Sequence, residues 1–556
     1  MKNRASTHVL ILLLIVALTA IAHYSVHYGA LIRGYETSPL TAGRNLFLLF
    51  ILAILPIFLA RFAKFQGNWT LYTTAVLLFS IGLTVQYRLF SDPEYTSRKD
   101  KAEARQAKIK TLQKHYIQEN YSAEKKQMMG LPATPPTPVD LDKEAPRPAE
   151  GDLADVFLSG RTVIPLLAIA CCVGAFLLFR RQNILDILQR NGFLIVILTL
   201  VPLMIAAVTS QAGKSIGNMT PWEPSKIPFL IGFAAILSVL YKNLARTYWG
   251  VPRAKDVIPL LFMAVLPFFP FFVLNDFGQM MVFSSVYATL YLIAVRRLPQ
   301  RIVLIGSVAL LVGILVVGAL PVKTQEKIPL LPTLAAPVKK VLPDRIQQRF
   351  HLWLDGFNPP SPETDWWQDD YNDYYKDLVK RDPNLPQLLE EDPTLQKSIN
   401  VDAWFDVLAF QPAQATFGLA SGGTTGRGLG LGFVELIPVA DSDYIYAALG
   451  EELGLFGGLL ITFALIVFVS AGVRTALDAR DMFSKLCVIG LAAFIGFQAL
   501  VNMGGITRAL PMTGITLPFV SHGGFSLITS FVMLGMLLAF SHRNAVDINQ
   551  VSSLKS

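Results

Sequence analysis

An all-α, polytopic integral membrane protein with about twelve transmembrane helices is the fold class the sequence predicts, and three observations predict it. The 556-residue chain is 53% hydrophobic and only 16% charged, with a mean hydropathy of +0.46. That is too apolar for a string of soluble domains. Apolar runs of about 20 residues, the length that crosses a bilayer, recur along the chain. Lys and Arg gather beside every second short loop, the asymmetry that orients membrane helices. The net charge of +8 therefore marks cytoplasmic loop ends first, and no nucleic-acid partner is expected. The three cysteines, Cys171, Cys172 and Cys487, all lie in apolar runs. They form neither a disulfide framework nor a zinc spacing and read as packing residues.

The predicted spans lie near 8–29, 45–63, 70–90, 161–180, 191–209, 225–241, 256–275, 277–295, 301–320, 444–472, 484–504 and 515–541. The first follows Lys2 and Arg4 and is too long for a signal-peptide core, so it reads as an uncleaved helix. Basic residues flank alternate loops: Arg61 and Lys64; Arg180, Arg181 and Arg190; Lys242, Arg246, Arg253 and Lys255; Arg296, Arg297 and Arg301; Arg474, Arg480 and Lys485; His542 and Arg543. Those loops and both termini are placed in the cytoplasm. Two long loops, 91–160 and 321–443, face outward. The first has a charged, helix-permissive half (97–128) and a proline-rich half (131–150) that reads as extended tether; a docking surface for a partner is the other reading. In the second, residues 337–350 alternate basic and apolar residues, the pattern of a helix lying along lipid headgroups.

The stretch most concentrated in chemistry runs from Trp404 to Gly454. It passes through a glycine-rich turn, Gly422 to Gly430, and ends in Asp441, Asp443, Glu451 and Glu452 at the mouth of an apolar helix. Glycine allows close backbone approach and positive φ, and acids suit a helix entrance. No strand precedes the turn and no Gly-Lys-Ser follows it, which argues against a nucleotide loop.

Two motifs here resemble the SEDS family. Phe410-Gln411, Gln414, Ser421-Gly422-Gly423, Gly426, Gly428-Leu429-Gly430, Pro438, Asp443 to Ala447 and Gly450 to Gly454 fall in the register of one. Pro511 to Gly524, with Ser521 inside it, falls in the register of the other. The resemblance implies ten core helices starting near Leu71, preceded here by two additional N-terminal helices (1–66). It divides the rest into a first core helix (67–90), an extracytoplasmic insertion (91–160), core helices (161–320), a large catalytic loop (321–443), C-terminal core helices (444–545) and a cytoplasmic tail (546–556). It also implies a peptidoglycan glycosyltransferase of the bacterial cytoplasmic membrane that polymerises lipid II into glycan strands. The implied partners are lipid II, the nascent glycan, membrane lipids and a class B penicillin-binding protein. A lipid II flippase and a non-catalytic scaffold for a transpeptidase are the competing readings.

The resemblance implies a general base for the attacking sugar hydroxyl and cations or oriented donors for the departing diphosphate. The family places its catalytic aspartate second in a W-L-D-P-x-x-DP entrance. Here Trp353-Leu354-Asp355 matches the start, Pro359 takes the place of that aspartate, and about 50 residues intervene before Gln411. Counted back from Gln411, Asp402 is the preferred base and Asp355 the reserve, with Asp406 nearby. Lys214, Asp276, Gln411, Gln414, Gly426, Arg427, Asp443, Glu451 and Ser521 are the expected substrate contacts, the turn's N–H groups included. Lys226 stands where the family has an acid, which leaves that acid's role open, and His522 stands where it has tyrosine. A divalent cation, magnesium or manganese, is the other route to charge neutralisation, and no organic cofactor is expected.

Overall fold

The computed structural model describes residues 2–33, 37–92, 95, 153–210, 222–244, 247–248, 251–252, 255, 258, 270–271, 276–295, 301–302, 306, 344–355, 358–359, 367–392 and 394–555. The predicted spans 256–275 and 301–320, loop residues 96–150 and Lys214 fall wholly or almost wholly outside them.

Nearly everything described is helical: α1 (Lys2–Ile32), α2 (Pro39–Arg61), α3 (Trp69–Ser91), α4 (Leu153–Leu158), α5 (Gly160–Phe179), α6 (Gln182–Arg190), α7 (Gly192–Ser210), α8 (Trp222–Leu244) and α9 (Phe277–Ala294). There follow α10 (Asp344–Asp355), α11 (Gln368–Arg381), α12 (Leu385–Glu391), α13 (Thr394–Trp404), α14 (Phe410–Gly422), α15 (Ile445–Leu477), α16 (Met482–Ile506) and α17 (Gly524–Lys555). Thr247–Tyr248 and Val251–Pro252 pair as a two-residue antiparallel bridge. Among the described residues nine helices are long and apolar enough to cross a membrane, and the pair α6–α7, bent by 74°, makes a tenth crossing if taken together. The protein is thus a multi-pass membrane protein.

Side-chain caps start several of these helices. The Ser38 hydroxyl accepts from Thr41 N, the Asn68 amide oxygen from Thr70 N, and the Asp481 carboxylate from Ser484 N, each satisfying one N–H that a helix start leaves over. Hydropathy alone does not rank the spans, but burial does. Windows of α3 and α17 are 78% buried and that of α16 67%, against 28% for α1. Hence α3, α16 and α17 form the centre, α17 packs along α5, and α1 presents Leu10, Leu14, Leu18 and Ile21 outward. A single apolar core runs through the bundle.

Two spans differ from their predicted form. Residues 515–523, assigned to the last span, run as a loop, so α17 begins at Gly524. Their backbone is held by side chains: Asn502 Nδ2 donates to Ile515 O (2.6 Å) and Gln498 Nε2 to Thr516 O (3.1 Å). The span near 444–472 is α15, which is broken at Gly454 (φ 65°, ψ −164°). Of the stretch 337–350 expected along lipid headgroups, residues 337–343 lie outside the described residues and 344–350 belong to α10. Within 344–355, Ile346 and Phe350 are buried, Phe350 stacks near Phe277 (5.6 Å), and Trp353 Nε1 donates to Arg508 O (2.9 Å). The apolar face of α10 is therefore turned onto protein.

Candidate functional site

The break in α15 and the glycine turn are one device. A break at Gly454 leaves two carbonyls and two N–H groups of the helix without their usual partners. The turn supplies them reciprocally. Arg427 N donates to Glu451 O (3.0 Å) and Gly428 N to Glu452 O (2.9 Å), while Leu455 N donates to Gly423 O (3.0 Å) and Phe456 N to Thr424 O (3.3 Å). Backbone lies on backbone: a Cβ on Gly426 would sit 2.2 Å from Glu452 O, and one on Gly454 2.3 Å from Gly426 N. Both residues have positive φ, which glycine alone takes freely. This corrects the expectation that the turn's N–H groups face a diphosphate. Those of Gly426, Arg427 and Gly428 are committed within the protein, and the exposed Arg427 side chain is what the turn offers outward.

Beside this device lies a buried ion network. Arg88, fully buried in α3, donates from Nε to Glu452 (2.9 Å), from Nη1 to Asp92 (2.8 Å) and from Nη2 to Glu435 (3.1 Å) and Gly432 O (3.0 Å). Arg33, at the end of α1, also binds Glu435 and lies 3.6 Å from Asp92. Glu451 accepts from Phe433 N (2.9 Å), with Arg427 Nε at 3.9 Å. Glu451 is thereby placed between α14 and loop 432–433.

A second polar cluster gathers Asp276, Asp443 and Arg349. Asp276 caps α9 through Gln279 N (3.1 Å). Arg349 of α10 donates to Thr513 O (3.0 Å) and acts electrostatically on both acids. The surrounding protein excludes water and pushes the Asp443 carboxyl up to about 6, with Asp441 and Asp276 adding to the rise and Ser442 and Arg349 opposing it. Burial raises Asp276 as well. Three buried polar atoms around the cluster have no hydrogen-bond partner among the described residues: Gln279 Oε1, Asn502 Oδ1 and Thr513 Oγ1. Asn502 itself donates to Asp443 O (2.8 Å). Unpaired buried polar atoms are few in folded proteins and concentrate where a ligand or water is handled.

The next layer is Lys226, fully buried, which donates to Glu223 (2.7 Å) and to Gln498 Oε1 (2.8 Å); Gln279 Nε2 reaches Glu223 at 3.3 Å. The acid that the resemblance expects at 226 is thus supplied one turn earlier. An i,i+3 pair is legible in a sequence, so this one was there to be read. Glu223→Gln keeps an acceptor but leaves the ammonium uncompensated, and should cost roughly 2–3 kcal/mol. The exchange Glu223→Lys with Lys226→Glu should regain most of that, as thermal unfolding in detergent would register; no recovery would mean the pair is not the unit of stability here.

Asp402 and Asp406 lie elsewhere. Helices α11 to α13 build a separate small core around Trp367, Tyr371, Ile399 and Trp404. Asp402 sits on its exposed side, and Asp406 accepts from the Tyr374 hydroxyl (3.2 Å). A π-helical turn, Phe405–Ala409, joins α13 to α14, a deformation frequent at functional sites. Asp402 and Gln411 are nine residues apart along this helical run, about 13 Å at 1.5 Å per residue. Gln411 is exposed and Gln414 half-buried. Asp355 is the last residue of α10. Ser521 is spent locally: its hydroxyl donates to Ser442 O (2.7 Å) and accepts from Leu517 N (2.8 Å). The neighbouring His522 N donates to Asp441 O (2.7 Å). Arg349 was not singled out in the sequence. Its signal was an arginine next to Phe350 and six residues before Asp355, one of two in this helix with Arg345.

Comparison with known proteins agrees with the motifs. Residues 400–545 match the FtsW/RodA/SpoVE family model, described as cell cycle protein. The peptidoglycan glycosyltransferase RodA of Mycobacterium tuberculosis is 28% identical over 397 residues, 68% of this chain and 69% of its own. The probable peptidoglycan glycosyltransferase FtsW of Geobacter metallireducens is 42% identical over 136 residues, 24% of this chain and 36% of its own. A solved structure described as "Structural coordination of polymerization and crosslinking by a peptidoglycan synthase complex" aligns with a TM-score of 0.46 at 20% identity, covering 70% of this chain and 90% of that one. The fold and spans define a polytopic membrane protein. Over residues 400–545 the chain is similar to the FtsW/RodA/SpoVE family, the one its motifs resemble.

Proposed function

We propose that the protein is a peptidoglycan glycosyltransferase that polymerises lipid II into glycan strands. An acceptor sugar hydroxyl attacks the anomeric carbon of the donor, the glycosidic bond forms, and the lipid diphosphate leaves with the bonding electron pair. The observation that carries this reading is the cluster of Asp276, Asp443 and Arg349 with three unpaired polar atoms around it. Such a site can take sugar hydroxyls and a proton. The geometry favours Asp443 as proton acceptor, since a carboxyl near pH 6 is poised for that task; the resemblance favours Asp402. Arg349 and Arg427 are cations suited to the diphosphate.

Among the described residues no three His, Cys, Asp or Glu side chains gather as a metal site. Magnesium or manganese would therefore have to take most of its ligands from water and substrate phosphates, and no step is derived through it. Lipid II, the growing glycan and surrounding lipids are the proposed partners, together with a class B penicillin-binding protein as transpeptidase.

The test is glycan formation by the purified full chain from lipid II in detergent. Translocation of lipid II in vesicles without polymer would favour a flippase, and neither activity would favour a scaffold. The proposed setting is the bacterial cytoplasmic membrane with both termini inside and the loops 91–160 and 321–443 outside. Ser122→Cys should react with an impermeant thiol reagent in intact cells. Protection there, with labelling at a cysteine placed at Arg543, would invert the topology.

A further inference from the structure

We propose that α1, a helix additional to the ten-helix core the resemblance implies, is a working part of the site, and that Arg33 is a positioning residue for Glu451. The proposal rests on the glycosyltransferase reading. Arg33 Nη1 donates to Gly432 O (2.8 Å) and to Glu435 Oε2 (3.2 Å), and Nη2 pairs with Glu435 Oε1. Its guanidinium carbon lies 5.4 Å from the centre of the Phe433 ring, and that of Arg427 lies 5.3 Å from the same ring. The N–H of Phe433 in turn holds the Glu451 carboxylate at 2.9 Å. One residue therefore links the additional helix to the acid: Arg33 grips the loop at Gly432, Phe433 and Glu435, and the loop grips Glu451.

A second contact fixes the same loop independently. Gly29 of α1 lies on Gly430, so that a Cβ on Gly29 would come within 2.9 Å of the Gly430 backbone. Gly430 ends the glycine turn that is bonded to the break in α15. The helix thus presses on one end of the turn and ties down the loop that follows it. Arg88 shares Gly432 O and Glu435 with Arg33. Beyond those shared partners, the Arg33 guanidinium lies against the Phe433 ring, as that of Arg427 does. Glu451 is one of the substrate contacts the resemblance implies, and a contact displaced by about 1 Å can cost about 10²-fold in rate, so a helix remote from the reacting atoms can control turnover.

The test uses the full chain in detergent with two readouts. The first is the labelling rate of a cysteine placed at Leu431, a partly exposed position on the loop, with and without Arg33→Met. The second is polymerisation kinetics of Arg33→Met, Arg33→Lys and Gly29→Val, normalised to folded protein. Arg33→Met and Gly29→Val should each speed labelling and lower kcat on the order of 10- to 100-fold with little change in KM. Arg33→Lys should recover much of kcat, since its ammonium still reaches Glu435. The proposal is overturned if folded Arg33→Met keeps the wild-type kcat, if its whole loss follows the folded fraction, or if Leu431→Cys labels at the same rate in both backgrounds. If the unmodified protein makes no glycan, the glycosyltransferase reading fails, while the labelling rates still decide whether α1 holds the loop.

Discussion

Arg88→Ala is expected to destabilise the folded protein by about 3–5 kcal/mol, the usual cost of removing one partner from a buried charge pair. The argument is one of compensation. Arg88 is fully buried, and each nitrogen of its guanidinium serves an acid: Glu452, Asp92 and Glu435. All three acids are themselves less than a tenth exposed. Arg33 pairs with Asp92 and Glu435, while Arg88 is the cation paired with Glu452, so losing it strips that cation from the carboxylate on the broken helix. Arg88→Lys preserves the charge but not the planar fork that serves three acceptors at once, and should fall between wild type and alanine. Adding Glu452→Gln to Arg88→Ala should return part of the stability by removing the stranded charge. Thermal unfolding of purified protein measures all four, and an Arg88→Ala loss under about 1 kcal/mol would show that water enters this network.

The contrast between this network and the spans shows what the sequence makes legible. Hydropathy and length are local properties, so α1, α2, α3, α5, α8, α9 and α16 stand close to their predicted limits. The break in α15 is not local. Gly454 lies in an apolar run that reads as one helix, and what opens it is the exchange of four hydrogen bonds with residues 423–428. The late start of α17 has the same origin, since side chains of Asn502 and Gln498 hold the preceding loop.

At the site, several residues the motifs single out have structural partners of their own. The backbone freedom of a glycine turn suggests a ligand cradle, but its geometry is that of backbone packing. Ser521 looked like a contact and is a clip between two loops. Asp276 and Asp443, named from the sequence, do come together, yet their link is Arg349, which lies in a separate helix 73 residues after the first and 94 before the second. The small core of the insertion, closed by Trp367 and Trp404, could not be inferred from composition, because tryptophans in an acidic loop carry no periodicity.

Asp443→Asn is expected to reduce polymerisation by about 10²–10⁴-fold, the range of a lost general base, and to stabilise the fold at the same time. The two effects have one cause. The Asp443 carboxyl titrates near 6 in the folded protein because its surroundings disfavour the charge, whereas an exposed aspartate titrates near 4. Between those values the folded state binds more protons than the unfolded one, so stability falls as pH rises from about 4 to about 6 and stays lower above. About two units at 1.36 kcal/mol each give an upper estimate of roughly 3 kcal/mol, which the neutral asparagine would recover at pH 7. The wild-type rate should climb with pH through about 6 and level off as the base loses its proton. Asp402→Asn provides the contrast, since its carboxylate lies on the exposed side of the insertion's small core and its loss should not bring the pH-linked stabilisation expected of a buried acid. Loss of turnover in Asp402→Asn, with normal turnover in Asp443→Asn, would move the base to the insertion and leave Asp443 a buried acid of the scaffold.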